Sequence, residues 1–255
     1  MILESGSMWR HWGLDRDPFL GPSRFVPLAE HREAVERLRY TVEAGQPLAW
    51  LTGGEGLGKS IVLRQALAEI RRADRRIVLV ENPVDAPSLW RMLADQIEGK
   101  IGPATERAET WIRLERAAKV CTIQGRRLVL AIDGGEGLDR GDLQRLARLE
   151  GATILLAQRD PDVSAAPWTL AIRLRPLTRS DAENYLTARL AAVGCREPIF
   201  TPRAVVRLHA AARGVPRGMN QLASMALIAA AMRGMEAVSS EVVDGVALEC
   251  RAAGD

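Results

Sequence analysis

The sequence predicts an α/β fold in which a parallel sheet carries helices on both faces and a small all-helical domain follows. A glycine-rich turn, GGEGLGKS at residues 53–60, separates a short apolar segment from a helical one. Short apolar segments then alternate with helical ones as far as residue 177, which is typical of a parallel sheet. We therefore predict an N-terminal loop segment, a sheet domain and a helical domain, which span residues 1–24, 25–177 and 178–255.

The elements are predicted from hydrophobic periodicity. Trp9–Arg24 has no periodicity and predicts an ordered loop, whereas Leu28–Ala44 places Val35, Leu38 and Val42 on one helical stripe. Buried strands are predicted at residues 48–52, 76–81, 128–132, 153–157 and 170–174. Further helices are predicted at residues 61–72, 87–98, 105–122, 142–149, 180–193, 202–212, 217–233 and 239–250.

Composition excludes few functions. The 255 residues are 47% hydrophobic and 26% charged, as in an ordinary globular protein, and the net charge of +3 permits nucleic-acid binding without requiring it. Three scattered cysteines without a C-x-x-C motif predict free thiols and a cytoplasmic location. The start lacks an apolar signal core, and no apolar run approaches the ~20 residues of a membrane span, so neither is expected.

The turn Gly53-Gly54-Glu55-Gly56-Leu57-Gly58-Lys59-Ser60 fits the phosphate-binding motif G-x-x-x-x-G-K-[ST]. Its glycines let the backbone curl so that successive N–H groups point at an anion, which the start of the next helix also favours. We predict that Lys59 contacts the β- and γ-phosphates of ATP and that the Ser60 hydroxyl binds Mg²⁺. Ile61 completes the predicted nucleotide-binding stretch. A chance glycine-rich turn is the alternative, which the strand–turn–helix context disfavours.

The apolar strand LVLAI ends in Asp133, a residue placed to hold Mg²⁺ opposite Ser60. The alternative for Asp133 is a strand-terminating residue in a turn. Two glycines follow it, and then Glu136. Because two glycines make the turn compliant, Glu136 is a candidate for the base that activates water, although a solvated loop acid fits equally well. Hydrolysis is therefore a weaker prediction than binding.

Other polar residues are candidates for the same site. Gln158 follows a strand expected beside the one that ends in Asp133, where an amide can bond the γ-phosphate or orient water. Arg217 begins a helix in the second domain, where it can sense the γ-phosphate or lie on the surface. His31 is a candidate for the adenine site, with packing or capping as the alternative. Candidates for an arginine that reaches a neighbouring subunit's nucleotide are Arg159, Arg173 and Arg175.

Several stretches together resemble one known family. They are Trp12–Phe19 (WGLDRDPF), Ser23–Phe25, His31–Ala34, Leu174–Leu177 with Glu183, Tyr185, Arg189 and Leu190 after it, Ile199–Thr201 and Gly214–Leu222 (GVPRGMNQL). From about Trp9 to Leu248 the chain resembles the ExeA-type (general secretion pathway protein A) branch of the AAA+ ATPases.

The resemblance implies a P-loop NTPase (AAA+) fold, with a five-stranded, three-layer αβα core and a helical lid. It also implies ATP and Mg²⁺ as cofactors, ATPase activity, nucleotide-dependent homo-oligomers and a protein partner in secretion or envelope machinery. The family usually reads Asp-Glu-Ala where this chain reads Asp133-Gly134-Gly135. Full secretion members continue into a membrane span and a peptidoglycan-binding part, whereas these 255 residues stop after the helical lid. Two rival functions are a DNA-binding regulator of the transposition type and a nucleotide-binding scaffold with little turnover.

Overall fold

A computed structural model of the chain describes residues 5–21, 24–98, 107–136, 138–159, 170–195 and 197–252. Parts of the predicted domains, including residues 1–4 and 253–255, and Ser23 of the family-like stretches lie outside these residues. The chain divides into two compact units. The sheet unit comprises residues 29–55 and 59–174, and the helical unit comprises residues 1–28, 56–58 and 175–255.

Five parallel strands form the sheet, in the order β2-β3-β4-β1-β5. They are β1 (Leu48–Thr52), β2 (Arg75–Glu81), β3 (Arg127–Asp133), β4 (Ala152–Ala157) and β5 (Leu170–Arg173). Every residue of β1 and β4 is buried, as expected for central strands covered on both faces. The predicted parallel α/β fold is confirmed, and so is the expected position of β4 beside β3.

Helices cover the sheet because alternate strand residues face opposite sides. The helices of this unit are α2 (Ala29–Glu43), α3 (Lys59–Ile70), α4 (Ala86–Glu98), α5 (Arg107–Ile123) and α6 (Arg140–Ala147). Leu128, Leu130 and Ile132 of β3 share one apolar cluster with α4, α5 and α6. The helices α2 and α3 pack on each other and on β1, β3 and β4. The predicted stripe of α2 is buried, as a core-facing stripe should be.

The helical unit contains α7 (Arg179–Ala191), α8 (Pro202–Ala212), α9 (Pro216–Met232) and α10 (Ser240–Ala252). Thr178 caps α7 by accepting a hydrogen bond from the Asp181 amide, and Thr201 caps α8 in the same way. Pro202 occupies the first turn of α8, where its missing N–H costs nothing. Among the helices of the described residues, none combines the length and the apolar composition that a membrane span requires.

One local prediction is wrong. Ser5–His11 forms a helix, α1, although Trp9–Arg24 was expected to be a loop throughout. A helix this short is marginal by itself and depends on tertiary packing, which periodicity over seven residues does not reveal. The packing partner is the helical unit's own core, against which Trp9 and Trp12 lie. The Trp12 indole N–H also donates to the Leu227 carbonyl at 3.1 Å.

The rest of the N-terminal segment is anchored by buried polar contacts within the helical unit. Asp17 accepts a hydrogen bond from the Phe19 amide at 2.7 Å and another from the Ser224 hydroxyl. The buried Arg189 donates to the Pro18 carbonyl at 2.8 Å, and its guanidinium lies over the Phe19 ring. Because each buried charge has partners, the segment is fixed in the unit by specific contacts as well as by apolar burial.

Candidate nucleotide-binding site

The glycine-rich turn joins β1 to α3, which begins at Lys59. Gly53, Gly56 and Gly58 have φ angles of 144°, 77° and 98°, which side-chain-bearing residues rarely adopt. The Lys59 ammonium donates to the carbonyls of Gly53 at 2.8 Å and Gly54 at 2.9 Å. The turn therefore curls around its own lysine, as the predicted phosphate-binding loop requires.

Asp133 is the last residue of β3 and lies at the carboxyl edge of the sheet. Only 5% of it is exposed, and its Oδ2 has no hydrogen-bond partner among the described residues. Burial raises the pKa of the Asp133 carboxyl, and the Ser60 hydroxyl opposes this by hydrogen bonding to it. A buried carboxylate oxygen without a donor is costly unless a cation binds it.

These two side chains fit Mg²⁺. Magnesium is usually held by one or two carboxylates together with substrate phosphates, and a hydroxyl beside one carboxylate matches that donor set. Among the described residues, no group of three or more His, Cys, Asp and Glu side chains forms a complete protein cage for a metal. Ser60 and Asp133 are therefore suited to an ion that arrives with phosphate.

Replacing Asp133 by asparagine is expected to stabilise the protein without nucleotide or Mg²⁺ at pH 7, by about 1 kcal/mol. Because its pKa is raised on folding, the folded state binds this proton more tightly than the unfolded chain. Ionisation therefore lowers stability as the pH rises above the ordinary carboxyl value of 3.8. The melting temperature should rise by about 2–4 °C at pH 7 and should not change near pH 4.

Differential scanning fluorimetry at the two pH values measures this effect. The exposed Asp15→Asn is the matched control and should leave the melting temperature unchanged at both. A lower melting temperature of Asp133→Asn at pH 7 would contradict the unfavourable burial of this charge.

The turn after Asp133 requires both of its glycines. Gly134 has a φ of 97° and donates to the Ala157 carbonyl at 2.8 Å. A Cβ at Gly135 would lie 2.2 Å from Leu156 Cδ1, far inside contact distance. The backbone therefore crosses the end of β4 closely, and a glutamate at position 134 would be strained in this conformation.

Glu136 folds back over this turn. Its Oε1 accepts a hydrogen bond from the Arg159 amide at 3.0 Å. Its Oε2 lies 3.6 Å from the point where a Cβ of Gly134 would stand. The Glu136 carboxylate thus occupies space beside position 134, and its side chain remains exposed to solvent.

Gln158 is buried between β1 and the turn at Gly134 and Gly135. Its backbone N–H donates to the Leu51 carbonyl at 3.1 Å. With the side-chain amide oriented by its neighbours, its nitrogen donates to the Gly135 carbonyl and its oxygen accepts from the Trp50 indole, both at 3.1 Å. Both ends of the amide are in use, so contact with a phosphate requires an exchange of these bonds.

Arg217 lies in the first turn of α9, in the helical unit, to which Gly56–Gly58 also belong. Its amide donates to the Gly56 carbonyl at 3.3 Å. A Cβ at Gly56 would lie 2.8 Å from Arg217 Cβ and 3.0 Å from Val215 Cγ1. Glycine at position 56 is thus required by close packing as well as by its φ angle.

The remaining candidates are placed as follows. His31 lies in the first turn of α2 and is 6% exposed. Arg173 is the last residue of β5. The guanidinium of Arg159 donates to Glu55 of the same chain at 2.9 Å. Within the sheet unit, the described residues at the carboxyl edge include Glu55, Lys59, Ser60, Asp133, Glu136, Gln158 and Arg159.

Solved structures share this architecture. Cdc6p from Pyrobaculum aerophilum is similar with a TM-score of 0.68 and 16% identity, over 92% of this chain and 71% of that one. The ORC2 protein of Aeropyrum pernix, solved as ADPNP–ADP complexes, gives a TM-score of 0.63 and 16% identity over 93% and 72%. The Thermotoga maritima RuvB Holliday junction branch migration motor gives a TM-score of 0.54 and 16% identity, over 89% of this chain and 72% of that one.

The chain has the AAA+ ATPase fold. Its sequence is 28% identical over 256 residues to general secretion pathway protein A of Aeromonas hydrophila, covering 92% of this chain and 46% of that protein. The expected resemblance to general secretion pathway protein A is confirmed, and the chain spans about half the length of that relative. No family model matches the chain.

Two features of this candidate site were not found from the sequence. Trp50 was seen only as part of an apolar strand, although its indole N–H holds Gln158. The pairing of Glu55 with Arg159 joins residues 104 positions apart. The available signals were a tryptophan in the strand before the glycine-rich turn and an acidic residue inside a predicted phosphate-binding loop.

Proposed function

We propose that this chain is a Mg²⁺-dependent ATPase. The observation that carries the proposal is the buried Oδ2 of Asp133, which has no hydrogen-bond partner among the described residues and lies beside Ser60, at the same sheet edge as the glycine-rich turn. A cation brought by a nucleotide triphosphate would satisfy that oxygen. The AAA+ fold and the ORC2 protein solved with ADPNP and ADP support the same assignment.

Binding is assigned to residues 53–61. The N–H groups of the turn and of the first turn of α3 would bind the phosphates, with the Lys59 ammonium between the β- and γ-phosphates. Ser60 and Asp133 would hold Mg²⁺, which neutralises phosphate charge when bound. His31 is proposed to lie beside the adenine.

The chemistry is assigned to Glu136. A water oxygen attacks the γ-phosphorus, the Glu136 carboxylate accepts the water proton, and the bond to the β-phosphate oxygen breaks to leave ADP and phosphate. The resembled family usually has a glutamate at position 134, and the Glu136 carboxylate lies 3.6 Å from where that side chain would begin. Gln158 would orient the γ-phosphate or the water after exchanging its present bonds.

Nucleotide binding and hydrolysis are proposed to control assembly of the protein with copies of itself and with a partner. Arg217, at the start of α9, would sense the γ-phosphate and couple the helical unit to nucleotide state. A homo-oligomer would form with nucleotide bound, and Arg173 or Arg175 is proposed to reach a neighbour's nucleotide. The similarity to general secretion pathway protein A favours a partner in secretion or envelope machinery. Three free cysteines fit a cytoplasmic location.

The test is phosphate release from Mg²⁺-ATP by the purified chain, in parallel with EDTA. We expect turnover that EDTA abolishes, together with a larger mass by light scattering when a non-hydrolysable ATP analogue is added. No ATP affinity would overturn the proposal. Affinity without turnover would favour the nucleotide-binding scaffold instead.

A DNA-binding regulator is the second candidate. It is favoured by the likeness to Drosophila ORC bound to DNA, with a TM-score of 0.60 and 16% identity over 91% of this chain. The same assay with duplex DNA separates the two. Stimulation that falls steeply between 50 and 200 mM salt would support DNA binding, because released counterions make such binding salt-dependent.

A further inference from the structure

We propose that Glu55 and Arg159 form a clasp that positions Glu136 for hydrolysis, an inference that rests on the proposed ATPase function. Arg159 follows Gln158 at the end of β4 and makes two contacts. Its guanidinium donates to Glu55 Oε2 at 2.9 Å, and its amide donates to Glu136 Oε1 at 3.0 Å. One residue thus joins the glycine-rich turn to the carboxylate assigned as the base.

Glu136 needs such a tether because the hydrogen bonds of its turn hold the backbone at Gly134 and Gly135 but not the Glu136 side chain. That side chain is exposed, so without a partner its carboxylate would have several accessible rotamers. Arg159 itself is attached to a fixed point, since the preceding Gln158 is bonded to Leu51, Gly135 and Trp50. The ion pair of Arg159 with Glu55 adds a second attachment, on the other side of the Arg159 amide nitrogen, and the two together restrict the amide that donates to Glu136.

The clasp also balances charge. Glu55 places a carboxylate inside a turn proposed to bind phosphates, and its negative charge would repel them. The Arg159 guanidinium, which contacts Glu55, offsets that charge. Clasp residues are positioning residues: neither Glu55 nor Arg159 exchanges a proton with the substrate. Loss of Arg159 should therefore lower kcat and raise KM. Loss of the Glu55 charge should lower kcat and should leave KM unchanged or lower it.

Steady-state kinetics of Arg159→Gln, Glu55→Gln and the double variant test the clasp. Both partners are more than half exposed, so each single change should lower kcat about two- to fivefold. The double variant should have the kcat of the worse single variant, because the same contact is lost once. Arg159→Lys keeps the charge and should retain most of the parent kcat. Arg37→Gln, in an ion pair of similar exposure with Glu33, is the control.

Single variants with unchanged kcat, or losses that multiply in the double variant, would overturn the clasp. Amide hydrogen exchange at Arg159 tests it without turnover, since Glu55→Gln should accelerate that exchange about two- to fivefold. If the parent has no turnover but Glu55→Gln accelerates exchange at the Arg159 amide as expected, the proposed ATPase is contradicted while the Glu55–Arg159 contact is supported. An active parent whose Arg159 amide is insensitive to Glu55→Gln contradicts the clasp alone. If Arg159→Gln does not fold, Glu55→Gln decides both measurements.

Discussion

Lys59→Ala should weaken ATP binding at least about 100-fold. The variant loses the ammonium assigned to two phosphate groups, and a hydrogen bond to a charged group contributes about 1.5–3 kcal/mol. It also loses the contacts to the Gly53 and Gly54 carbonyls that hold the turn around this side chain. Isothermal titration calorimetry with Mg²⁺-ATP measures the affinity directly.

Lys119→Ala is the matched control, because it removes an exposed lysine from α5, away from the sheet's carboxyl edge. Its affinity should equal that of the parent. Melting temperatures of both variants establish that the comparison is between folded proteins. An affinity for Lys59→Ala within threefold of the parent would remove the premise shared by the ATPase, the DNA-binding regulator and the scaffold.

Glu136→Gln is expected to lower kcat about 100-fold or more, with little change in KM. General-base catalysis typically contributes factors of 10²–10⁴, and an amide cannot accept the water proton. Its oxygen can still accept the Arg159 hydrogen bond, so the substitution changes proton affinity while it keeps the contact seen at Oε1. Phosphate release at saturating ATP provides kcat.

Glu150→Gln, an exposed acid in the turn before β4, is the control and should retain parent turnover. Unchanged turnover in Glu136→Gln would show that this carboxylate is not the base. The same result, in a parent with high ATP affinity and slow turnover, would favour the scaffold function.

Much of the fold was predictable because burial on both sides of a parallel sheet leaves continuous apolar runs. The runs at β1, β3 and β4 are such cases, and each ends near a polar residue that the sheet brings to one edge. Gln158 was expected after a strand beside the one that ends in Asp133, and the sheet order confirms that neighbourhood. Continuous apolar runs were sufficient to predict these strands.

The parts that escaped prediction depend on contacts between distant residues. Helix α1 is short and packs through Trp9, with Trp12 just after it on the same core, so its own seven residues carry too little signal. The position of the Glu136 carboxylate depends on the Arg159 amide, and only the folded sheet brings these two together. The sequence suggested Glu136 as a candidate base because it follows Asp133 closely, but the position of its carboxylate beside residue 134 is visible only in the folded structure.

The anchoring of the N-terminal segment has a practical consequence for fragment design. Leu14 and Phe19 are buried in the same core as α7 to α10. A recombinant fragment made of the last four helices alone would present to water the surface that these two side chains cover, and it would be prone to aggregate. A fragment that keeps this surface covered includes the N-terminal segment as far as Leu28, which is buried in the same core, joined ahead of residue 175 by a flexible linker.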